Sequence, residues 1–245
     1  MSMIRRIPME GVANFRDLGG YACTGGFTRW NQIYRSTSLH KATPRDVEQL
    51  QQLGIRLVLD FRYPHEAKTD IDATIPGARN LNFSLMGDFP ADNIPVNSTV
   101  RSTRSLYRMY RLILRHGGAS ILDAFRAVLA CDGAVLFHCA AGKDRTGVFA
   151  MLLLALAGVD WADIYADYEI SELYISNFTT DISGSNLHNM QMLRQTLEQN
   201  YGSAWGYLLA QGAREEELEA FRTRFVASEH AFSLCKTPKN HQWCL

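Results

Sequence analysis

The stretch from Ala134 to Ala157 constrains the fold more than any other part of the chain. Ala134-Val135-Leu136-Phe137 is a continuous apolar run, the pattern of a strand buried on both faces. From Val148 to Ala157 every residue is apolar. A helix without a polar side has to be enclosed by other elements. A doubly covered strand feeding an enclosed helix predicts an α/β chain. The expected architecture is a three-layer sandwich, with a central, mostly parallel sheet flanked by helices. With 245 residues, 47% of them hydrophobic, the chain is long enough to bury such a core.

Other segments supply the flanking elements. Thr43-Pro44-Arg45-Asp46 reads as a helix start, with Thr43 as N-cap, Pro44 first in the helix and Asp46 as the reciprocal acid. Gly54 ends that helix. Arg56-Leu57-Val58-Leu59 follows as a short buried strand, with Asp60 at its C-terminal end. Cys23-Thr24-Gly25-Gly26 marks a hairpin turn. Residues 70–100, rich in Pro, Asn, Asp and Ser, read mostly as loop. Helices are expected over 101–116, over 119–131 with Ser120 as cap, and near 161–175 with Asp160 as cap. Residues 187–228 read as two or three helices, broken at Tyr201-Gly202-Ser203 and Gln211-Gly212. Residues 1–231 are read as one domain, and 232–245, which lack periodicity, as a loosely ordered tail.

Lys plus Arg and Asp plus Glu both total 25, so no overall charge draws the protein to nucleic acid or to a membrane. Five cysteines, at 23, 131, 139, 235 and 244, form no CxxC pair. This excludes a disulfide framework and fits a reducing compartment. No apolar stretch follows the opening MSMIRRIPME, so no signal peptide is expected, and Val148–Ala157 is too short to span a bilayer. The expectation is a cytoplasmic protein with no stable membrane insertion and no nucleic-acid partner. Export without an N-terminal signal stays open.

Between the apolar strand and the apolar helix lies His138-Cys139-Ala140-Ala141-Gly142-Lys143-Asp144-Arg145-Thr146-Gly147. A loop at a helix N-terminus can aim successive backbone N–H groups at one point, which makes an anion site. The small Ala140, Ala141 and Gly142 let the backbone approach a ligand, and Gly142 can take a positive φ. Arg145 adds a planar fork that matches two phosphate oxygens. Helix N-termini and nearby cations favour a thiolate over a thiol, so Cys139 is expected to be ionised at neutral pH. A thiolate at the floor of a phosphate-sized cradle is placed for in-line attack on phosphorus. The product is a phosphocysteine that water then hydrolyses. The loop and Arg145 supply the charge stabilisation, so neither a metal nor another cofactor is expected. A Walker loop is excluded by Phe137 at its first Gly position and Asp144 after the Lys. A zinc site lacks partner ligands at suitable spacing.

HCAAGKDRTG resembles the HCxxGxxRTG signature of cysteine-dependent protein phosphatases. The longer form HCxxGKDRTG is similar to that of an atypical tyrosine/serine phosphatase family of bacteria and fungi. Asn14-Phe15-Arg16-Asp17-Leu18-Gly19-Gly20-Tyr21 resembles the family's N-terminal NFRDLGG box. Tyr34-Arg35-Ser36, and Asp60-Phe61-Arg62 with Glu66, fall where the family has its YRS and DLR-x3-E elements, with Phe61 in place of the usual Leu. The resemblance runs from about residue 8 to 228. It implies a protein tyrosine phosphatase-like fold and hydrolysis of phosphotyrosine-containing proteins or peptides. Phosphoserine, phosphothreonine and phosphoinositides are further candidate substrates, and phosphate or sulfate would occupy the loop.

Within this frame Cys139 is the expected nucleophile and Arg145 the phosphate clamp. Ala140, Ala141, Gly142, Lys143 and Thr146 form the expected substrate-binding set. Lys143 is read either as charge at the pocket rim or as a solvated side chain. Thr146 is read as bonding the cysteine or the surroundings of the attacking water, or else as capping the helix. His138, Asp60 and Arg62 are expected to support the loop from outside, in one polar network with Arg16, Asp17 and Arg35. The departing oxygen needs a proton. The chain has no Trp-Pro-Asp and no acid between Asn93 and Leu122, and Asp123 falls inside an expected helix. The general acid is therefore assigned to Asp144, as the resemblance also implies, with Asp60 in reserve.

Arginines at 101, 104, 108, 111 and 115 share one helical face, which is either solvated or a lid or docking face for anionic substrates. Trp161, Tyr165, Tyr168 and Tyr174 read as core filling. Two other activities compete with a phosphatase. A non-catalytic phosphoryl-binding module is disfavoured by the joint presence of Cys139, Asp144 and Arg145. A rhodanese-type sulfurtransferase is disfavoured by the RTG ending and the NFRDLGG box.

Overall fold

The structure is a computed structural model that describes residues 4–86, 103–175 and 187–228. β1 (Arg16–Asp17) precedes a hairpin of β2 (Ala22–Cys23) and β3 (Gly26–Thr28), with Cys23 opposite Gly26 as the turn signal implied. β4 (Ile33–Ser36) leads into α1 (Pro44–Gln52). The capping box of α1 is complete. Asp46 N–H donates to Thr43 Oγ1 at 3.2 Å, and Thr43 N–H donates to Asp46 Oδ2 at 3.0 Å.

β5 (Ile55–Asp60) and α2 (Pro64–Thr69) follow, then β6 (Arg79–Asn82), inside the stretch read mostly as loop. Arg79, Asn80, Leu81 and Asn82 carry no apolar alternation, because β6 is an edge strand held by its parallel ladder to β5. α3 (Thr103–His116) is the helix expected over 101–116, with residues 101 and 102 outside the described ones. α4 (Gly118–Ala130) starts with Gly117 as N-cap, not Ser120. A Cβ on Gly117 would lie 2.0 Å from Leu85 O, so close backbone packing sets this junction rather than a capping side chain.

β7 (Ala134–His138) runs through the ten-residue motif into α5 (Asp144–Ala157). α6 (Trp161–Ile175) opens with Asp160 Oδ1 accepting from Ala162 N–H at 2.8 Å. α7 (Leu187–Tyr201), α8 (Ala204–Ala210) and α9 (Glu215–Phe225) break at the two expected places. β8 (Val226–Ala227) closes on β3. The tail at 232–245 lies outside the described residues.

The central sheet has the order β1-β4-β7-β5-β6. The β4–β7, β7–β5 and β5–β6 pairs are parallel, and β1 is antiparallel to β4. Leu57, Leu59, Val135 and Phe137 face the larger core, which they share with α3, α4 and α5. Ile55, Val58, Ala134 and Leu136 face a second core with Leu50 of α1. A register irregularity between Ile55 and Leu57 turns Ile55 to the same side as Val58. Helices therefore cover both faces, and the sandwich is three-layered. Twelve of the 14 residues of α5 are buried, as its all-round apolar sequence requires. No helix among the described residues is long and apolar enough to cross a membrane.

Candidate active site

Three neighbouring parallel strands, β4, β7 and β5, end level with one another, with Ser36 and Asp60 both in register with His138. The ten-residue motif leaves the sheet at this edge. Gly142 has φ +64°, and a Cβ there would lie 2.0 Å from Ser36 O and 2.8 Å from Thr37 N. Only glycine fits so tight a bend.

The carbonyls of the loop point outward and are all taken. His138 O accepts from Phe61 N–H at 2.8 Å, and Ala140 O accepts from Ser38 N–H at 3.0 Å. Ala141 O and Gly142 O accept from Asn14 Nδ2 at 3.3 and 2.9 Å, and Arg35 Nη2 donates to Gly142 O at 2.8 Å. Among the described residues no protein acceptor takes the N–H groups of Ala140, Ala141 or Gly142. N–H and C=O of a trans peptide unit point in opposite directions, so these donors turn inward at the N-terminus of α5. Cys139, 2% exposed, sits at the base of this positive concavity.

Arg145 is held as a fork on a fork. Its Nη1 and Nη2 donate to Glu66 Oε2 and Oε1 at 2.5 and 3.0 Å, and the Tyr63 ring lies 5.9 Å away. Burial alone would lower the pKa of Arg145. The Glu66 hydrogen bonds and the nearby Cys139 charge outweigh it and raise the value. Burial likewise works against Glu66, yet the same guanidinium holds its pKa below the ordinary carboxylate range. Glu66 also caps α2, accepting from Tyr63 N–H at 2.8 Å.

Asp144 opens α5 and is buried. Its Oδ1 accepts from Tyr110 Oη at 2.5 Å, and Tyr110 Oη lies 2.5 Å from Tyr168 Oη. Burial, then the Asp144 charge, pushes the Tyr110 phenol well above its ordinary range, so it stays a donor. Lys143 departs from both readings of it. It is fully buried, neither at the rim nor solvated, with Nζ drawn inward to 3.5 Å from Asp144 Oδ1. Thr146 neither bonds Cys139 nor caps α5. Its buried Oγ1 has no hydrogen-bond partner among the described residues, and it cannot cap α5 because the N-cap is Lys143.

Two buried networks support the loop, where one was expected. In the first, Arg62 Nε and Nη2 grip Asp60 Oδ2 at 3.0 and 2.8 Å, and Nη2 reaches Asp72 Oδ2 at 2.6 Å. His138 Nδ1 lies 3.1 Å from Cys139 O, and its Nε2 lies 3.2 Å from Asp72 Oδ2. Burial opposes ionisation of Asp72, but His138 and Arg62 keep its pKa low. Asp60, Asp72 and His138 bring ligand-type atoms within 4.8 Å of one another, but Arg62 already occupies both carboxylates. That arrangement suits a guanidinium rather than a metal ion, and Arg62 engages both oxygens of Asp60.

In the second network, Asp167 accepts from Arg16 Nε at 2.8 Å and from Arg35 Nη1 at 2.5 Å. Burial would raise its pKa, but the two arginines hold it at about 2. Arg16 Nη1 also donates to Asn14 Oδ1, which fixes the side chain that holds the loop. Asp17 belongs to neither network. It accepts from the N–H groups of Gly19 and Asn31 at 2.8 and 2.7 Å, and burial pushes its pKa up to about 6.

Sequence reasoning passed over Tyr110, Asp72 and Asp167, and it read Tyr168 as core filling. The one available signal was two family-box arginines, Arg16 and Arg35, which need a buried carboxylate somewhere in the chain.

A sequence model described as the tyrosine phosphatase family matches residues 7–227. A tyrosine-protein phosphatase of Nostoc commune is 31% identical over 231 residues, covering 83% of this chain and 77% of that protein. The triple specificity protein phosphatase PtpB of Mycobacterium tuberculosis is 26% identical over 274 residues, covering 89% of this chain and 98% of that protein.

Proposed function

The chain belongs to the tyrosine phosphatase family, and from that premise we propose the part each residue plays in hydrolysing a phosphomonoester. The inward N–H groups of Ala140, Ala141 and Gly142, with the start of α5, receive the phosphate oxygens. Arg145, anchored on Glu66, clamps two of them. Cys139 Sγ attacks phosphorus in line. The S–P bond forms as the P–O bond to the leaving group breaks, and Asp144 gives its proton to the departing oxygen. In the second half, Asp144 takes a proton from water as the water oxygen attacks phosphorus. The S–P bond then breaks, and phosphate and the thiolate are released. Lys143 adds positive charge beneath the loop. Thr146 Oγ1, buried and without a hydrogen-bond partner among the described residues, serves the same reaction in this reading.

The observation that carries this reading is the loop's polarity, with every described carbonyl bond outward and three donors inward around one thiol. It accounts for phosphoryl transfer without a metal or cofactor. The test is turnover of p-nitrophenyl phosphate in EDTA, with mass spectrometry of the rapidly quenched enzyme. A phosphoryl adduct on Cys139 is expected, and Cys139→Ser should lower kcat by about 10³-fold or more. Undiminished hydrolysis by the serine variant would overturn the reading.

Phosphotyrosine peptides are the primary substrates of this reading. A relative named as a triple specificity phosphatase supports adding phosphoserine and phosphothreonine peptides and phosphoinositides to the substrate panel. The domain is taken as residues 1–231. The compartment is taken as the cytoplasm, in keeping with five cysteines that form no CxxC pair.

A further inference from the structure

The arginine face of α3 has no part in the reaction above. It lines a groove against α7, of about 440 Å³, within the size range of small-ligand sites. Arg108, Arg111 and Arg115 form one wall, and Thr196, Asn200 and Tyr201 contribute to the other. Tyr107 Oη and Thr196 Oγ1, 2.8 Å apart, join the two helices.

Among the described residues the charge in this groove is unbalanced. All three arginines are exposed, and none has an ion-pair partner among the described residues. α3 contains no Asp or Glu. The one acid of α7, Glu198, is held by Arg194 at 2.7 Å. A helix face that serves only solvation mixes signs, because like charges three and four residues apart repel. Here Arg108, Arg111 and Arg115 repeat those spacings with no carboxylate between them. At 1.5 Å per residue their positions span about 10 Å of groove. On the facing wall Thr196 Oγ1 already donates to Met192 O at 3.0 Å and Asn200 Nδ2 to Thr196 O at 2.8 Å, which leaves the second amide N–H of Asn200 and the Tyr201 hydroxyl as donors for an oxyanion.

The groove is separate from the catalytic loop. The α3 residue that reaches Asp144 is Tyr110, fully buried on a different face from the arginines.

We propose that the groove between α3 and α7 is a second anion site that binds a compact, multiply phosphorylated ligand outside the catalytic loop. Three guanidinium groups along one wall match several phosphates on a small ring or headgroup better than a single phosphoester.

Inositol hexakisphosphate is the probe, titrated calorimetrically into the full chain carrying Cys139→Ser. The comparison is the same chain with R108Q, R111Q and R115Q, all at exposed positions. Expected are a binding event weakened at least tenfold by the triple substitution, weakening as salt rises, and persistence of the event in an Arg145→Ala chain. Equal affinity in the triple variant overturns the proposal, as does loss of binding with Arg145→Ala in a chain whose circular dichroism is unchanged. Flotation with vesicles holding phosphatidylinositol 4,5-bisphosphate separates the sources. Groove-dependent flotation means that a lipid headgroup is accepted, and its absence assigns the groove to free polyphosphates. Groove-dependent binding of phosphopeptides alone overturns the proposal. The triple substitution in the wild-type background should leave p-nitrophenyl phosphate turnover within about twofold. Groove binding in a chain that hydrolyses nothing would sink the phosphatase reading while leaving this one standing.

Discussion

Replacing Tyr110 with Phe tests the assignment of the general acid most directly. The hydroxyl removed lies 2.5 Å from Asp144 Oδ1 and 2.5 Å from Tyr168 Oη, fully buried. The ring stays, so core packing is kept. What is lost is a hydrogen bond to a carboxylate, worth about 1.5–3 kcal/mol. Tyr168 Oη also loses its partner, so Tm should fall by about 4–10 °C for a chain of this size. The rest of the effect is catalytic. General acid catalysis contributes about 10²–10⁴-fold, and at 1.36 kcal/mol per decade the lost bond controls roughly 10–150-fold of that. The assay is kcat across aryl phosphates of graded leaving-group acidity. p-Nitrophenyl phosphate, which departs with little help, should change by less than about threefold, whereas phenyl phosphate should slow by roughly 10–100-fold. The slope of log kcat against leaving-group acidity should steepen accordingly. Equal loss on both substrates would mean that Tyr110 supports the fold and not the proton donor. Unchanged phenyl phosphate turnover would refute the reasoning outright.

Asp144→Asn should show the same split more strongly, about 10²-fold or more on phenyl phosphate. Unchanged turnover there, with abolition by Asp60→Asn, would transfer the acid role to Asp60. Glu66→Gln removes the anchor of Arg145 and should lower kcat/KM about tenfold, mainly through KM, read from steady-state kinetics. Asp167 governs acid stability. Its folded pKa of about 2 lies below the unfolded 3.8, so its contribution is full above pH 4 and is lost as pH falls through 2. The shift amounts to about 2 kcal/mol. Asp17, raised to about 6, acts in the opposite sense between pH 4 and 6. Urea unfolding of Asp167→Asn should therefore show a flatter pH dependence than the parent between pH 4 and 2, and parallel curves would remove Asp167 from that role.

The parts legible in the sequence are those fixed by near neighbours. Thr43 and Asp46, three positions apart, cap α1, and the bend at Gly142 serves a turn of one loop. The strand-to-helix junction that carries Cys139, Asp144 and Arg145 was legible because strand, loop and helix are consecutive. Asp167 was not, because it meets Arg16 and Arg35 across 151 and 132 positions, and an acid on a helix looks the same whether solvated or enclosed. Tyr110 hid in the same way, since its apolar ring fits a core pattern and only its hydroxyl matters to Asp144. β6 escaped because an edge strand needs no alternation. Lys143 was misread because a lysine beside an acid looks the same in sequence whether it is solvated or enclosed.

The carbonyls of Ala141 and Gly142 are turned by Asn14 and Arg35, and these are oriented in turn through Asp167. Closing such distant segments on one another carries a large entropic penalty, and topologies of this kind form slowly. Residue 167 must therefore be synthesised and docked against the chain's beginning before the loop's carbonyls are held as they are in the folded protein. A fragment that ends before Asp167 would carry the whole signature motif without the carboxylate that holds Arg16 and Arg35 beneath it.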